Sequence, residues 1–212
     1  GFTMHPEKVA EKMEGLSVSW MQKIAKEKQT AICGSLVISD FNKFYNRFVF
    51  VHPSGEIETY NKKHSFTFAG EDKVYTSGTK KIIIEYKVWR ICPLICYDLR
   101  FPVWARNTEN YDLLIYMANW PIARVKAWYT LLKARAIENM SYVIGVNRTG
   151  KDANNYQYSG NSLLIDCLGE ELSSLKEGEV GIVRATFVKS EQDRIRKKLG
   201  FLRDKDSFII SK

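Results

Sequence analysis

The apolar run Ile91-Cys92-Pro93-Leu94-Ile95 stops at a thiol, Cys96, and passes at once into Tyr97-Asp98-Leu99-Arg100-Phe101-Pro102. An unbroken apolar stretch of this length reads as a buried strand, and Phe101-Pro102 reads as a helix start, where proline is tolerated in the first turn. A strand that ends in a cysteine and turns into a helix holds the sulfur at the edge of a sheet. Backbone N–H groups there can lower a thiol pKa and later bind an oxyanion. The feature makes Cys96 a candidate nucleophile, with a buried core cysteine as the other reading of the same residue.

The rest of the chain alternates helices with strands and hairpins. Leu16–Lys28 has the period of an amphipathic helix, with Leu16, Trp20, Ile24 and Met21 expected on its buried face. Strands are expected at residues 30–38, and at 48–51 and 56–60 around Pro53-Ser54-Gly55, a turn whose proline fixes φ and whose glycine permits φ > 0. Further strands are expected at 80–86, 89–95, 112–117, 142–146, 162–165 and 180–187. Helices are expected from Phe101-Pro102 towards Asn107, over 124–140 and over 189–198. Periodicity alone is compatible with several layered α/β architectures.

With 212 residues, 45% of them hydrophobic, and no Pro/Gly/Ser-rich linker, the expectation is one domain over residues 1–212. No apolar run approaches the roughly 18 residues of a membrane span, and there is no signal-peptide layout, so a cytoplasmic protein without membrane contact is expected. Cys33, Cys92, Cys96 and Cys167 are scattered through apolar segments and read as reduced thiols. The net charge is +8, and Arg194, Arg196, Lys197, Lys198, Arg203 and Lys205 crowd the C-terminal region. Glu191, Asp193, Asp204 and Asp206 interleave with them, so the segment reads as a solvated helix and tail and not as a nucleic-acid surface. There is no Gly-rich phosphate loop, and Cys92 and Cys96 have no partner ligands at zinc-site spacing. His5, His52 and His64 would permit a Cys-His pair, but nothing local supports one.

Two further segments stand with the cysteine: Tyr60-Asn61-Lys62-Lys63-His64-Ser65-Phe66 and Met117-Ala118-Asn119-Trp120-Pro121. The three together resemble the nitrilase, or carbon-nitrogen hydrolase, superfamily. They are most similar to its omega-amidase branch, which hydrolyses the distal amide of short dicarboxylic acid monoamides. The resemblance covers nearly the whole chain. It implies a four-layer α-β-β-α sandwich, a Glu-Lys-Cys catalytic set with a further supporting Glu, no metal and no cofactor, and a homodimer.

In the register of that resemblance Cys96 is the nucleophile, and Lys62, two positions before His64, is the ammonium beside the sulfur and oxyanion. The backbone N–H of Tyr97 is the second oxyanion donor, and Glu71 supports Lys62 and the substrate nitrogen. Trp120 is expected to wall the pocket, and Arg124 to pair with a substrate carboxylate, which a guanidinium can clamp with two parallel hydrogen bonds. Arg100, Asp98, Arg135 and Glu138 also match but are expected to brace the Cys96 loop through ion pairs. The family's first Glu ordinarily precedes a segment resembling Gly1-Phe2-Thr3-Met4, and its fold opens with a β-α-β unit. The expectation is therefore an N-terminally truncated chain lacking both.

The chemistry demands such a set. An amide is a poor electrophile with a poor leaving group, so a thiolate must be generated, an oxyanion held and a nitrogen protonated. The expected reaction is hydrolysis of small carboxylate-bearing amides through a cysteine thioester, with water as the second substrate and ammonia released. The alternative is a non-catalytic small-acid binding protein on the same scaffold, without the base.

Overall fold

The computed structural model describes residues 3–210, which fall into two compact units, Gly1–Ile82 and Ile83–Lys212. In the first, helix α1 (Leu16–Lys28) is followed by an antiparallel meander of β1 (Ile32–Asp40), β2 (Lys43–Val51) and β3 (Ile57–Asn61). Phe41 and Asn42, both with positive φ, make the two-residue turn that aligns Asp40 with Lys43 and Ile32 with Val51. The second hairpin turns at Pro53-Ser54-Gly55, with Gly55 at φ +92°, as its composition demands.

The bounds of α1 are those expected, but its buried face is not. Val18, Met21 and Ala25 are buried, whereas Leu16 is 87% and Trp20 59% exposed, and Ile24 is only half-buried. Met21 and Ala25 pack with Val49 and Val51 of β2, where small side chains let helix and sheet approach closely. The N-terminal N–H groups of α1 are met from outside the helix, because its cap residue, Gly15, has no side chain. Glu11 folds back instead, accepting from the Ser17 N–H at 2.8 Å and the Ser17 hydroxyl at 2.5 Å.

The second unit holds β4 (Ile84–Tyr86), β5 (Trp89–Ile95), α2 (Pro102–Ala105), β6 (Leu113–Ala118), α3 (Val125–Asn139) and β7 (Tyr142–Asn147). After these come β8 (Thr149–Lys151), β9 (Gln157–Ser159), β10 (Leu163–Ile165), β11 (Glu171–Ser174) and α4 (Lys189–Leu199). Six strands form one mixed sheet in the order β11-β10-β7-β6-β5-β4, while β8 and β9 make a separate hairpin. The centre, β5-β6-β7, is parallel and its residues are mostly buried, which is why these strands read as apolar runs without alternation. Pro93 sits in β5 beyond the reach of β4, which pairs only with Trp89, Arg90 and Ile91. Helix α3 covers β7 and β10 with Trp128, Leu132 and Ala136, all fully buried.

Helix α4 is anchored by polar contacts. Buried Asp112, just before β6, receives Arg196 at 2.8 Å and Lys189 at 3.2 Å, and buried Gln192 donates to the Asp112 carbonyl at 2.8 Å. Two of the basic residues of the C-terminal region are thus spent inside the fold. The expected strand at 180–187 does not form: Val180 and Ile182 are 84% and 76% exposed and the segment joins no ladder among the described residues. Its end alone is fixed, by Phe187 stacking on Tyr142 at 4.5 Å. The region expected to be a strand at 80–86 narrows to β4. No helix among the described residues is long and apolar enough to cross a membrane.

Candidate active site

In the first unit the chain leaves β3 at Asn61, and the next residue is Lys62. Its backbone is held on both sides: the N–H donates to the Asn46 carbonyl at 2.9 Å, and its carbonyl accepts from Gly78 at 2.8 Å. Gly78 is required there, since a Cβ would lie 2.1 Å from the Asn61 carbonyl oxygen. The Lys62 ammonium, 5% exposed, reaches the Glu71 carboxylate, 1% exposed, at 2.6 Å. Glu71 lies in a 3-10 turn, Glu71–Lys73, and its oxygens also accept from the Phe66 N–H at 2.6 Å and the Asn46 amide at 3.4 Å. Lys63, by contrast, is half-buried and donates its backbone N–H to the Tyr60 hydroxyl at 3.1 Å.

Removing two charges from water costs several kcal/mol per ion before their attraction and hydrogen bonds are counted, so a buried pair is weak evidence of stability. It is better evidence that an ammonium is wanted at a fixed place. Two of the three histidines of this unit pair with acids: His52 meets Glu58 at 2.8 Å and His5 meets Glu7 at 3.3 Å.

In the second unit β5 ends at Ile95, and Cys96 opens a five-residue 3-10 helix, Cys96–Arg100. Cys96 has φ +46°, in the left-handed region that costs a side-chain-bearing residue free energy and is characteristic of strained functional turns. Fully buried Asp98 turns its carboxylate back to accept from the Ile95 N–H at 3.0 Å, fixing the corner. From α3, buried Arg135 donates to the Leu99 carbonyl at 2.7 Å and pairs with Glu138 at 3.0 Å. The ion pair expected of Arg135 and Glu138 is present, Asp98 holds the corner through its bond to the Ile95 N–H, and Arg100 lies over the Trp120 ring at 5.1 Å. Cys96 is half-buried, and its thiol donates to the Asn119 carbonyl at 3.9 Å. Tyr97 follows it in the same turn.

Asn119 and Trp120 follow the end of β6, the parallel neighbour of β5, which carries them to the level of Cys96. Trp120 is 3% exposed; it packs on Trp128 and donates its indole N–H to the Arg124 carbonyl at 2.8 Å. Half-buried Arg124 ends the 3-10 turn Ile122–Arg124 that leads into α3, and β9 packs against this turn.

Three features escaped the sequence reading. Asn46 serves both Lys62 and Glu71; Asn147 binds the Trp120 backbone; and the β8-β9 hairpin carries Tyr158, which donates to Asp152 at 2.7 Å under the Arg148 guanidinium. Burial, then the bond to Asp152 and that residue's charge, push the Tyr158 phenol above its ordinary range, and Cys96 adds a smaller push in the same direction. An amide or acid interrupting an apolar strand, or ending one, was the signal available for Asn46 and Asn147. Among the described residues no three His, Cys, Asp or Glu side chains gather as a metal set.

A thiol at a strained strand-to-helix corner, at the end of a central parallel strand of a mixed sheet, fits a hydrolase that works through cysteine. The sequence model of the carbon-nitrogen hydrolase family matches residues 1–197. An omega-amidase, YafV, of Yersinia enterocolitica is 41% identical over 193 residues, covering 91% of this chain and 75% of its own. A 2-oxoglutaramate amidase of Bacillus subtilis is 35% identical over 187 residues, covering 85% and 71%. The crystal structure of XC1258 from Xanthomonas campestris, a CN-hydrolase superfamily protein with an arsenic adduct in its active site, superposes with a TM-score of 0.95 at 38% identity, covering 100% of this chain and 82% of that one. The chain belongs to the carbon-nitrogen hydrolase family. It has the family's nitrilase-type α/β fold and is an enzyme of that kind.

Proposed function

We propose that the protein is an omega-amidase acting on small amides that carry a carboxylate, with Cys96 as nucleophile. The buried Lys62–Glu71 pair is the observation that carries the reading, because it holds an ammonium on the strand end that the resemblance assigns to catalysis. The omega-amidase and 2-oxoglutaramate amidase names of the relatives support the substrate class. They also weigh against the non-catalytic small-acid binder.

In this reading the Cys96 thiol gives its proton to the first Glu of the catalytic set that the resemblance implies, as sulfur attacks the amide carbon. The oxyanion is held by the Lys62 ammonium and the Tyr97 N–H. The C–N bond then breaks, the nitrogen takes the proton back from that Glu and leaves as ammonia, and a thioester remains. Water attacks the thioester, releasing the acid and restoring the thiol. Glu71, already accepting from Lys62, Phe66 and Asn46, is proposed as a support of Lys62 and the substrate nitrogen rather than as the base. Arg124 is proposed to take the substrate carboxylate, and Trp120 to fix the Arg124 turn and wall the pocket beside it.

We further propose that both compact units form one carbon-nitrogen hydrolase domain, since one family model runs across them, and that the protein is a cytoplasmic homodimer. The reaction needs no metal or cofactor. The deciding assay is ammonia release from 2-oxoglutaramate by the protein and its Cys96→Ala variant. Release that disappears in the variant supports the reading; release by neither, or by both equally, overturns it.

A further inference from the structure

Asn147 closes β7 and is 7% exposed, yet its amide makes three hydrogen bonds to loops. Its oxygen accepts from the Trp120 N–H at 2.7 Å, and its nitrogen donates to the Trp120 carbonyl at 3.0 Å and the Gly160 carbonyl at 2.8 Å. One acceptor and two donors at this reach are what an asparagine supplies and an aspartate does not. The partners also leave one orientation for the amide, because an N–H must meet its oxygen and two carbonyls its nitrogen.

The Trp120 N–H belongs to the same peptide group as the Asn119 carbonyl, and a peptide group is planar. Holding the N–H therefore fixes the direction of the carbonyl, which faces away from Asn147 and accepts from the Cys96 thiol at 3.9 Å. Ser162 locks the other end: its hydroxyl bridges the Asn147 N–H at 2.9 Å and the Asn147 carbonyl at 3.1 Å. The Asn147 amide and one peptide plane thus link the Gly160 carbonyl to the sulfur, while Ser162 holds only the Asn147 backbone.

We propose that Asn147 is a positioning residue for the nucleophile: by clamping the Asn119-Trp120 peptide it aims the carbonyl that orients the Cys96 S–H and keeps it protonated until the base removes the proton. The proposal rests on Cys96 being the nucleophile. An acceptor facing a thiol favours its neutral form. Without the clamp the carbonyl is free to turn away, so the thiol should ionise at lower pH and be less well aimed.

The test is the pH dependence of Cys96 alkylation by iodoacetamide, followed by peptide mass spectrometry on the full-length protein. Asn147→Ala should lower the midpoint by about half a unit or more, a change equivalent to losing a weak hydrogen bond. Ser162→Ala, which removes the bonds to the Asn147 backbone and leaves the amide clamp, should not move it. Where Asn147→Ala does not fold, Asn147→Leu, which is close in size and can make none of the three bonds, takes its place. A midpoint unchanged in the Asn147 variant, or moved as far by Ser162→Ala, overturns the proposal. Alkylation uses no substrate, so a wild-type protein that releases no ammonia would sink the amidase reading while the midpoints still decide the role of Asn147.

Discussion

The Lys62 ammonium and the Glu71 carboxylate are 2.6 Å apart, and neither side chain is more than 5% exposed. Taking away one partner leaves the other as an uncompensated buried charge. Glu71→Leu should therefore cost about 3 kcal/mol or more of stability. Lys62→Met with Glu71→Leu should recover part of that loss, since neither charge is then buried while the Phe66 N–H and Asn46 amide still lack their acceptor, yet release no ammonia. Urea unfolding of the two single variants and the double variant gives the coupling. Simple additivity of their losses would mean that the pair does not interact in solution.

Gly78 bears on the same lysine through the backbone. A methyl group there would meet the Asn61 carbonyl oxygen at 2.1 Å, a contact that no rotamer can relieve. Gly78→Ala should destabilise the protein by about 1–3 kcal/mol. Because the shift falls on Asn61 and Lys62, turnover should drop by more than the loss of folded protein explains. A variant with reduced thermal stability but the wild-type kcat would show that Lys62 tolerates the displacement.

How far these arrangements can be read in advance depends on what the residue types encode. The Cys96 corner was legible because strand, thiol and Pro102 are contiguous. The bounds of α1 were legible too, but its orientation was not: Leu16, Trp20 and Ile24 make one apolar stripe and Val18, Met21 and Ala25 another, and close packing on β2 selects the smaller set. The turn at Phe41-Asn42 was hidden because phenylalanine is no turn former, and β8 and β9 because they are three residues each. Residues 180–187 have strand composition, but composition supplies no pairing partner. Lys62 and Glu71 were placed only through the register of the family resemblance. Asn46 and Asn147 were missed because a neutral amide has no motif and declares itself only through the groups that surround it.

Glu11 substitutes for a helix cap, and its bonds to Ser17 hold its carboxyl below the usual pKa. A group whose pKa is lowered by folding adds stability above its unfolded pKa and loses that contribution as pH falls through the folded value. Glu11→Ala should therefore cost about 1 kcal/mol near neutral pH, the ordinary value of a cap. The gap between wild type and variant should close in acid. Thermal melts of both proteins across the acid range measure it, and a gap independent of pH would exclude a role for the Glu11 charge.

The four thiols should differ sharply in reactivity. Burial pushes the Cys33 thiol up to about 12 and raises that of Cys167, while Cys92 is fully buried. Cys33 and Cys96 are both half-buried, Cys33 within β1 and Cys96 at a strained turn. A short exposure of the native protein to iodoacetamide at mildly alkaline pH should label Cys96 first, and unfolding should open the remaining three cysteines. Equal labelling of Cys33 and Cys96 in the native state would contradict this order.

Arg124 offers the clearest test of substrate charge. Its backbone carbonyl anchors the Trp120 indole at 2.8 Å, a bond that side-chain replacement leaves in place, so Arg124→Leu removes a guanidinium without releasing the tryptophan. Losing a charge-assisted contact to a carboxylate costs about 1.5–3 kcal/mol. For an anionic amide such as 2-oxoglutaramate the KM should therefore rise about tenfold or more, with kcat less affected, because the contact forms in the ground state and persists in the transition state. A neutral amide of the same length has no carboxylate to lose, and its KM should barely move. If both substrates suffer alike, the guanidinium supports the fold of its turn, and the carboxylate is recognised elsewhere.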